Sequence, residues 1–256
     1  MAVTYDVTNR RATITIDDPE HRNPMSVQTM RGLLDATRRA VTDHDVGVIV
    51  YTGAGDKAFS AGGDLSGSFA DDPVGLHRAR GDLADLFRLM IRGGKPTIAR
   101  VNGHALAGGF GLATACDITI CVEDVKLGTT EVKVGLWPMM ISAVLIRAMP
   151  RKAVLELLLT GRIIDPQEAQ RLGAVTRVVS RDELDLAVDQ TVASLLALSP
   201  GALMIGRDSF YGMADLDFET ALDRLQGGLT EITMTDDAAE GIHAFLEKRD
   251  PDWSGS

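Results

Sequence analysis

The sequence predicts an α/β protein, with a body of about 180 residues followed by a helical C-terminal part. Three observations carry this expectation. Continuous apolar runs such as DVGVIVYTG, PTIARV and DITICVED alternate with segments of helical periodicity. Both glycine-rich loops, GAGDKAFSAGGD and HALAGGFGLATACD, come directly after such runs, where open α/β architectures bind ligands. The last strand-like run is AVTRVVS, and the chain beyond it reads as helix alone.

Taken in order, VTYDV and RATITID form a hairpin about a turn at Asn9-Arg10, with Ala12, Ile14 and Ile16 alternating. DDPEHRNPMS, with its two prolines, is a loop. Ser26 caps a helix whose apolar positions are Val27, Met30, Leu34 and Val41. DVGVIVYTG is a buried strand leading into the first glycine-rich loop. The polar segment from Leu65 to Pro73 reads as a mobile surface loop. A helix with Leu83, Leu86, Phe87, Met90 and Ile91 on one face ends at Gly93-Gly94, and PTIARV begins the next strand. DITICVED is a further strand after the second glycine-rich loop, and from Pro138 the chain is mostly helical. Asp165-Pro166-Gln167-Glu168 is a helix start, with a cap, a proline at the first position and Glu three residues on. Three or four helices complete the chain, and the tail DPDWSGS is too short to fold alone.

The 256 residues are 45% hydrophobic and 24% charged, an ordinary globular balance. A net charge of −10 argues against a nucleic-acid binder, which needs a basic face. An anionic small ligand stays compatible, because clustered backbone N–H groups bind anions on an acidic protein. Cys116 and Cys121 lack zinc spacing and imply a reduced compartment, where both behave as small buried hydrophobes. The opening residues MAVTYDVTNRR lack the apolar stretch of a signal peptide, and no apolar run reaches membrane-spanning length. The expectation is a cytoplasmic protein with neither membrane nor nucleic-acid partners.

Three segments carry the chemistry. In Lys57-Ala-Phe-Ser-Ala-Gly-Gly-Asp64 the small residues make either a tight turn, with Asp64 capping the next helix, or a backbone amide open to a ligand. Gly109-Phe-Gly111-Leu-Ala-Thr114 partly matches the dinucleotide fingerprint, so a nicotinamide-dependent dehydrogenase is one alternative. Thr114 stands at the third small position, the helix has room for two or three turns, and Glu123 comes too soon to bind a ribose. The other reading is a helix N-terminus whose free N–H groups face a developing negative oxygen. In Lys126-Leu-Gly-Thr-Thr-Glu131-Val-Lys-Val-Gly-Leu-Trp-Pro138, Glu131 is either a buried acid/base of raised pKa or a surface residue beside Lys133. The histidines His21, His44, His77, His104 and His243 are scattered without ligand spacing, which argues against a metal site.

In this order, these segments resemble the enoyl-CoA hydratase/isomerase (crotonase) superfamily over nearly the whole chain. The likeness runs from DDPEHRNPMS through LTGRIIDPQEAQRLGAV to GIHAFLEKRDPDW. It implies a spiral core of repeated ββα units over residues 1–195, holding the CoA and active sites, and a helical region over 196–256. That region would form homotrimers, or dimers of trimers. It also implies an acyl-CoA thioester substrate and an enolate stabilised by two backbone N–H groups, which by position are those of Gly63 and Gly108. Lys57 and Ala61 match positions used near the CoA phosphates and adenine, and the loop after Asp64 matches the variable one lining the acyl pocket. No metal or nicotinamide is required, and CoA enters as part of the substrate.

Two departures bear on the reaction. Well-studied hydratases of the family carry two glutamates, of which Glu131 matches the second, while the first falls on Gly111. Gly111 thus marks an empty second-carboxylate slot. The other departure is Pro138-Met-Met-Ile, where many hydratases have a glycine-rich run. A single base suffices to move a double bond from the 3,4 to the 2,3 position, so isomerisation by Glu131 is the leading expectation. Hydration of a 2-enoyl-CoA is the nearest alternative, and a non-catalytic acyl-CoA binder is the alternative of another class.

Overall fold

The computed structural model describes residues 2–63 and 73–255. Asp64 and residues 65–72, on which the helix cap, the mobile loop and the acyl-pocket loop were expected, lie outside the described residues.

The hairpin forms as its alternation dictates: β1 (Val3–Thr8) and β2 (Arg11–Ile16) pair antiparallel, with Val7 opposite Ala12. Asn9 and Arg10 take φ of 51° and 61°, the two-residue turn whose twist matches that of the strands. After β3 (Pro24–Met25), Ser26 Oγ accepts the Thr29 N–H at 3.1 Å and starts α1 (Val27–Thr42). Its buried face is Met30, Leu33, Leu34, Thr37 and Ala40. Val27, expected on that face, is half exposed, because the buried stripe begins at Thr29.

Three ββα turns then follow, each giving one strand to a large sheet and one to a small sheet. The first contains β4 (Val48–Gly53) and β5 (Ala58–Ser60), then β6 (Gly62–Gly63) and α2 (Pro73–Arg92). The second is β7 (Thr97–Val101), β8 (His104–Leu106) and α3 (Gly108–Ala115). The third is β9 (Ile118–Val122), β10 (Leu127–Gly128) and α4 (Met139–Ala148). Next come α5 (Arg151–Thr160), β11 (Ile163–Ile164), α6 (Pro166–Arg171) and β12 (Arg177–Val179). The large sheet has the order β1-β2-β4-β7-β9-β12, the small one β11-β10-β8-β5, and β3 pairs with β6. β4 lies between two parallel neighbours and is buried at every position, which is why VIVYTG does not alternate. The short strands of the small sheet are too brief for any periodicity, and the sequence reading missed them.

Two buried asparagines hold the turn between β4 and β5. Asn102 donates through Nδ2 to the carbonyls of Gly53 (2.8 Å) and Gly55 (2.6 Å) and accepts from Thr52 Oγ1 and the Gly53 N–H. Asn23 donates to the carbonyls of Ala54 and Ala58 and accepts the Asp18 N–H. These side chains supply backbone partners that no strand supplies there. Asn102→Ala is expected to cost about 2 kcal/mol and lower the melting temperature by about 4–8 °C, measured by thermal unfolding.

Asp165 Oδ1 accepts the Glu168 N–H at 2.6 Å and caps α6 as expected, but the Glu168 carboxylate turns to the Arg162 guanidinium. Cys116 and Cys121 are free and buried, and burial pushes both thiols up, Cys121 to about 12. The helical end comprises α7 (Leu184–Leu196), α8 (Pro200–Met213), α9 (Phe218–Thr233) and α10 (Asp236–Glu247). The tail does not stand alone: Trp253 Nε1 donates to the Ala197 carbonyl, and the N–H groups of Ser254 and Gly255 donate to buried Asp237. Burial opposes charge on Asp237, but hydrogen bonds from Ser199, Gly255 and Ser254 outweigh it and hold the carboxyl below its usual range. No single helix among the described residues is long and apolar enough to cross a membrane.

Candidate active site

The small sheet assembles the site. β5, β8 and β10 run parallel and adjacent, with Ser60 and Leu127 both opposite Ala105. The chain leaves β5 toward Gly63, β8 toward Gly108 and β10 toward Glu131. Three segments far apart in sequence are thereby delivered to one end of one sheet.

Gly108 is the first residue of α3, so its N–H has no acceptor within the helix. Before it, Ala107 adopts φ 50° and ψ −124°, a conformation that costs a residue with a Cβ on the order of 1–3 kcal/mol. Gly62, at φ +90°, runs directly against this turn. A Cβ there would lie 2.5 Å from Ala107 Cβ and 2.8 Å from the Leu106 carbonyl oxygen. Met25 pairs with Gly63, and its Cγ lies 3.4 Å from where a Gly108 Cβ would stand. The two glycines therefore flank one methionine that sequence reasoning passed over, since a two-residue strand leaves no pattern. Gly63 is exposed, with no described residue beyond its chain neighbours within 4 Å of a Cβ position.

Lys57 and Ala61 lie on either side of β5. Lys57 is exposed and its carbonyl accepts the His104 N–H, while the Ala61 N–H donates to the Arg22 carbonyl. His104 Nδ1 accepts the Lys126 N–H at 3.1 Å, and burial and then Lys126 lower its pKa. It is a neutral hydrogen-bonding residue between two strands of the site.

Glu131 opens a short 3₁₀ turn, Glu131–Val134, after buried Thr129 has anchored the chain to the Leu157 carbonyl. Its Oε2 is buried without a hydrogen-bond partner among the described residues. Burial raises its pKa, and the backbone N–H groups of Glu131 and Thr130 oppose the rise only in part. Lys133 does not pair with it, as that side chain packs 3.3 Å from the Cβ position of Gly161. The result is a part-buried carboxylate with one oxygen withdrawn from solvent.

The slot at Gly111 requires a correction. The position has no carboxylate, but the space is not empty. A Cβ on Gly111 would stand 2.1 Å from Ile141 Cγ2 and 2.6 Å from Ile141 Cβ, because α4 packs directly on α3. Ile141 is buried. Sequence reasoning flagged both Gly111 and the Pro138-Met-Met-Ile departure without joining them. Thr114 Oγ1, one turn further along α3, is also buried without a partner among the described residues. α3 is only eight residues long, the length that argued against dinucleotide binding.

A part-buried carboxylate and two loop glycines stand at one end of the small sheet in an α/β fold built from ββα turns. Residues 7–256 match the enoyl-CoA hydratase/isomerase family, and the chain belongs to that family, within the crotonase superfamily. A Thermus thermophilus protein provisionally named enoyl-CoA hydratase is 36% identical over 94% of this chain and 96% of its own. Carnitinyl-CoA dehydratase of Salmonella typhimurium is 32% identical, covering 94% of each chain. The crystal structure of an enoyl-CoA hydratase from Mycobacterium smegmatis superposes with a TM-score of 0.94 at 30% identity, over 99% of both chains.

Proposed function

We propose that this enzyme forms the enolate of an acyl-CoA thioester, with the N–H groups of Gly63 and Gly108 binding the thioester oxygen and Glu131 moving the proton. The carrying observation is the unpartnered, buried Glu131 oxygen at the sheet end that also presents both glycines. Two preorganised amides contribute several kcal/mol to a developing oxyanion, and the α3 N-terminus adds its dipole. With a 3-enoyl-CoA, Glu131 takes the proton from C2, the electron pair delocalises onto the thioester oxygen, and the proton returns at C4. The double bond then lies between C2 and C3, with no other reactant consumed. Lys57 and Ala61, on the rim of the same loop, contact the CoA moiety.

The names of the relatives favour a second reading, in which water adds across a 2-enoyl-CoA to give a 3-hydroxyacyl-CoA. Product analysis with 2-enoyl- and 3-enoyl-CoA separates the two. Double-bond transfer from 3,4 to 2,3 supports isomerisation, and rapid formation of 3-hydroxyacyl-CoA overturns it. Thioester binding without solvent deuterium entering C2 would identify a non-catalytic binder. The base must be ionised to act, and burial raises its pKa above the ordinary 4.5. The rate of C2 exchange should therefore fall about tenfold per pH unit below a midpoint displaced upward from that value.

A homotrimer, or a dimer of trimers, is part of the proposal. Met234, Phe245 and Leu246 on or beside the last helices are more than two-thirds exposed, the kind of apolar surface a second copy covers. We also place the enzyme in the cytoplasm, in keeping with its free buried cysteines.

A further inference from the structure

We infer that Ile141 is a specificity-determining residue, one that directs the enolate chemistry proposed above toward proton return and away from hydration; this rests on that proposal. Two sequence departures thirty positions apart meet in space. At Gly111 the helix carries no side chain, and the volume a side chain would occupy is taken by Cβ and Cγ2 of Ile141. These are not the far end of a flexible chain, so a larger residue at 111 requires α4 to retreat. The pair is matched in size: the side chain absent from α3 is supplied by α4.

The chemical consequence follows from what a water needs. Adding water across C2=C3 delivers a proton to C2 and hydroxide to C3, and the water must be held and deprotonated as it attacks. A buried water is kept by roughly 2–4 polar partners. Ile141 presents only hydrocarbon and is 3% exposed, so the side chain that fills the space at Gly111 offers a water no partner. Position 111 gives Glu131 no second carboxylate to share the work, and the proton it takes is returned to carbon.

The test is a cycle of four proteins: wild type, Gly111→Glu, Ile141→Gly and the double variant. Each is examined by thermal unfolding, by formation of 3-hydroxyacyl-CoA from a 2-enoyl-CoA, and by deuterium exchange at C2 of a saturated acyl-CoA. Gly111→Glu alone should melt well below wild type, and Ile141→Gly in the same chain should recover part of that loss. The double variant should form 3-hydroxyacyl-CoA at least about tenfold faster than wild type, a modest share of what a placed acid/base group contributes. A Gly111→Glu protein as stable as wild type overturns the inference. So does a double variant that still exchanges C2 protons yet hydrates no faster than wild type; the enolate proposal survives that result. Absence of C2 exchange in wild type sinks the enolate proposal instead, and the stability cycle then still reports whether the two residues share one space.

Discussion

Glu131→Gln should lower deuterium exchange at C2 of an acyl-CoA, and with it double-bond transfer, by about 10²–10⁴-fold, with acyl-CoA affinity nearly unchanged. The substitution keeps the size of the side chain and removes only its capacity to take a proton. The same variant should also be more stable than wild type at neutral pH. Burial raises the folded-state pKa of Glu131 above its unfolded value. The stability associated with its protonated form is fully present below the unfolded value and is lost as pH rises through the raised folded one. At neutral pH wild type therefore holds a desolvated charge with one oxygen unpartnered, a cost the neutral amide avoids. Thermal unfolding near pH 7 and near pH 4 measures this: the advantage of the Gln variant should shrink in acid. A Gln variant that exchanges C2 protons at the wild-type rate removes Glu131 from the chemistry, whatever its stability.

Legibility in the sequence followed the length of the element and the locality of the signal. The hairpin, α1, β4 and the cap at Asp165 each carry their own pattern within a dozen residues, and each forms where it was expected. The small sheet is different. Its strands are two or three residues long, and what makes them strands is their partners in other turns of the spiral. Glu131, Gly63 and Gly108 could be named from local sequence and family likeness, but their delivery to one end of the small sheet depends on the parallel register of β5, β8 and β10. Gly111 shows the limit most plainly. A glycine reports that a side chain is missing and says nothing about what has moved in, and Ile141 comes from the next helix. Met25, Asn23 and Asn102 were unreadable for a related reason, since each works through partners distant in the chain.

Arg207→Ala should destabilise the protein by about 3 kcal/mol and lower the melting temperature by about 6–12 °C, the loss appearing first in the C-terminal helices. Arg207 on α8 is nearly buried. Its Nε reaches both carboxylate oxygens of Asp117, at 3.0 and 2.9 Å, in the turn between α3 and β9. Its other nitrogens donate to the carbonyls of Met90 and Ile91, which are among the last of α2 and have no acceptor role left within that helix. Tyr211, one turn further along α8, donates to Asp117 at 2.7 Å and lies under the guanidinium, 4.9 Å from ring centroid to Cζ. One side chain thus ties α8 to two separate parts of the core. Removing it strands a half-buried carboxylate and two helix-end carbonyls together, and leaving such groups unpaired is worse than never having buried them. The loss is set at the low end of the range for broken buried pairs because Thr97 still donates its N–H and hydroxyl to Asp117. Hydrogen exchange should show α8 opening while β4 and β7 stay protected. A double-mutant cycle with Asp117→Asn separates the pair from mere packing. A coupling of at least about 1 kcal/mol is expected, and additivity of the two substitutions would assign the docking of α8 to its apolar contacts instead.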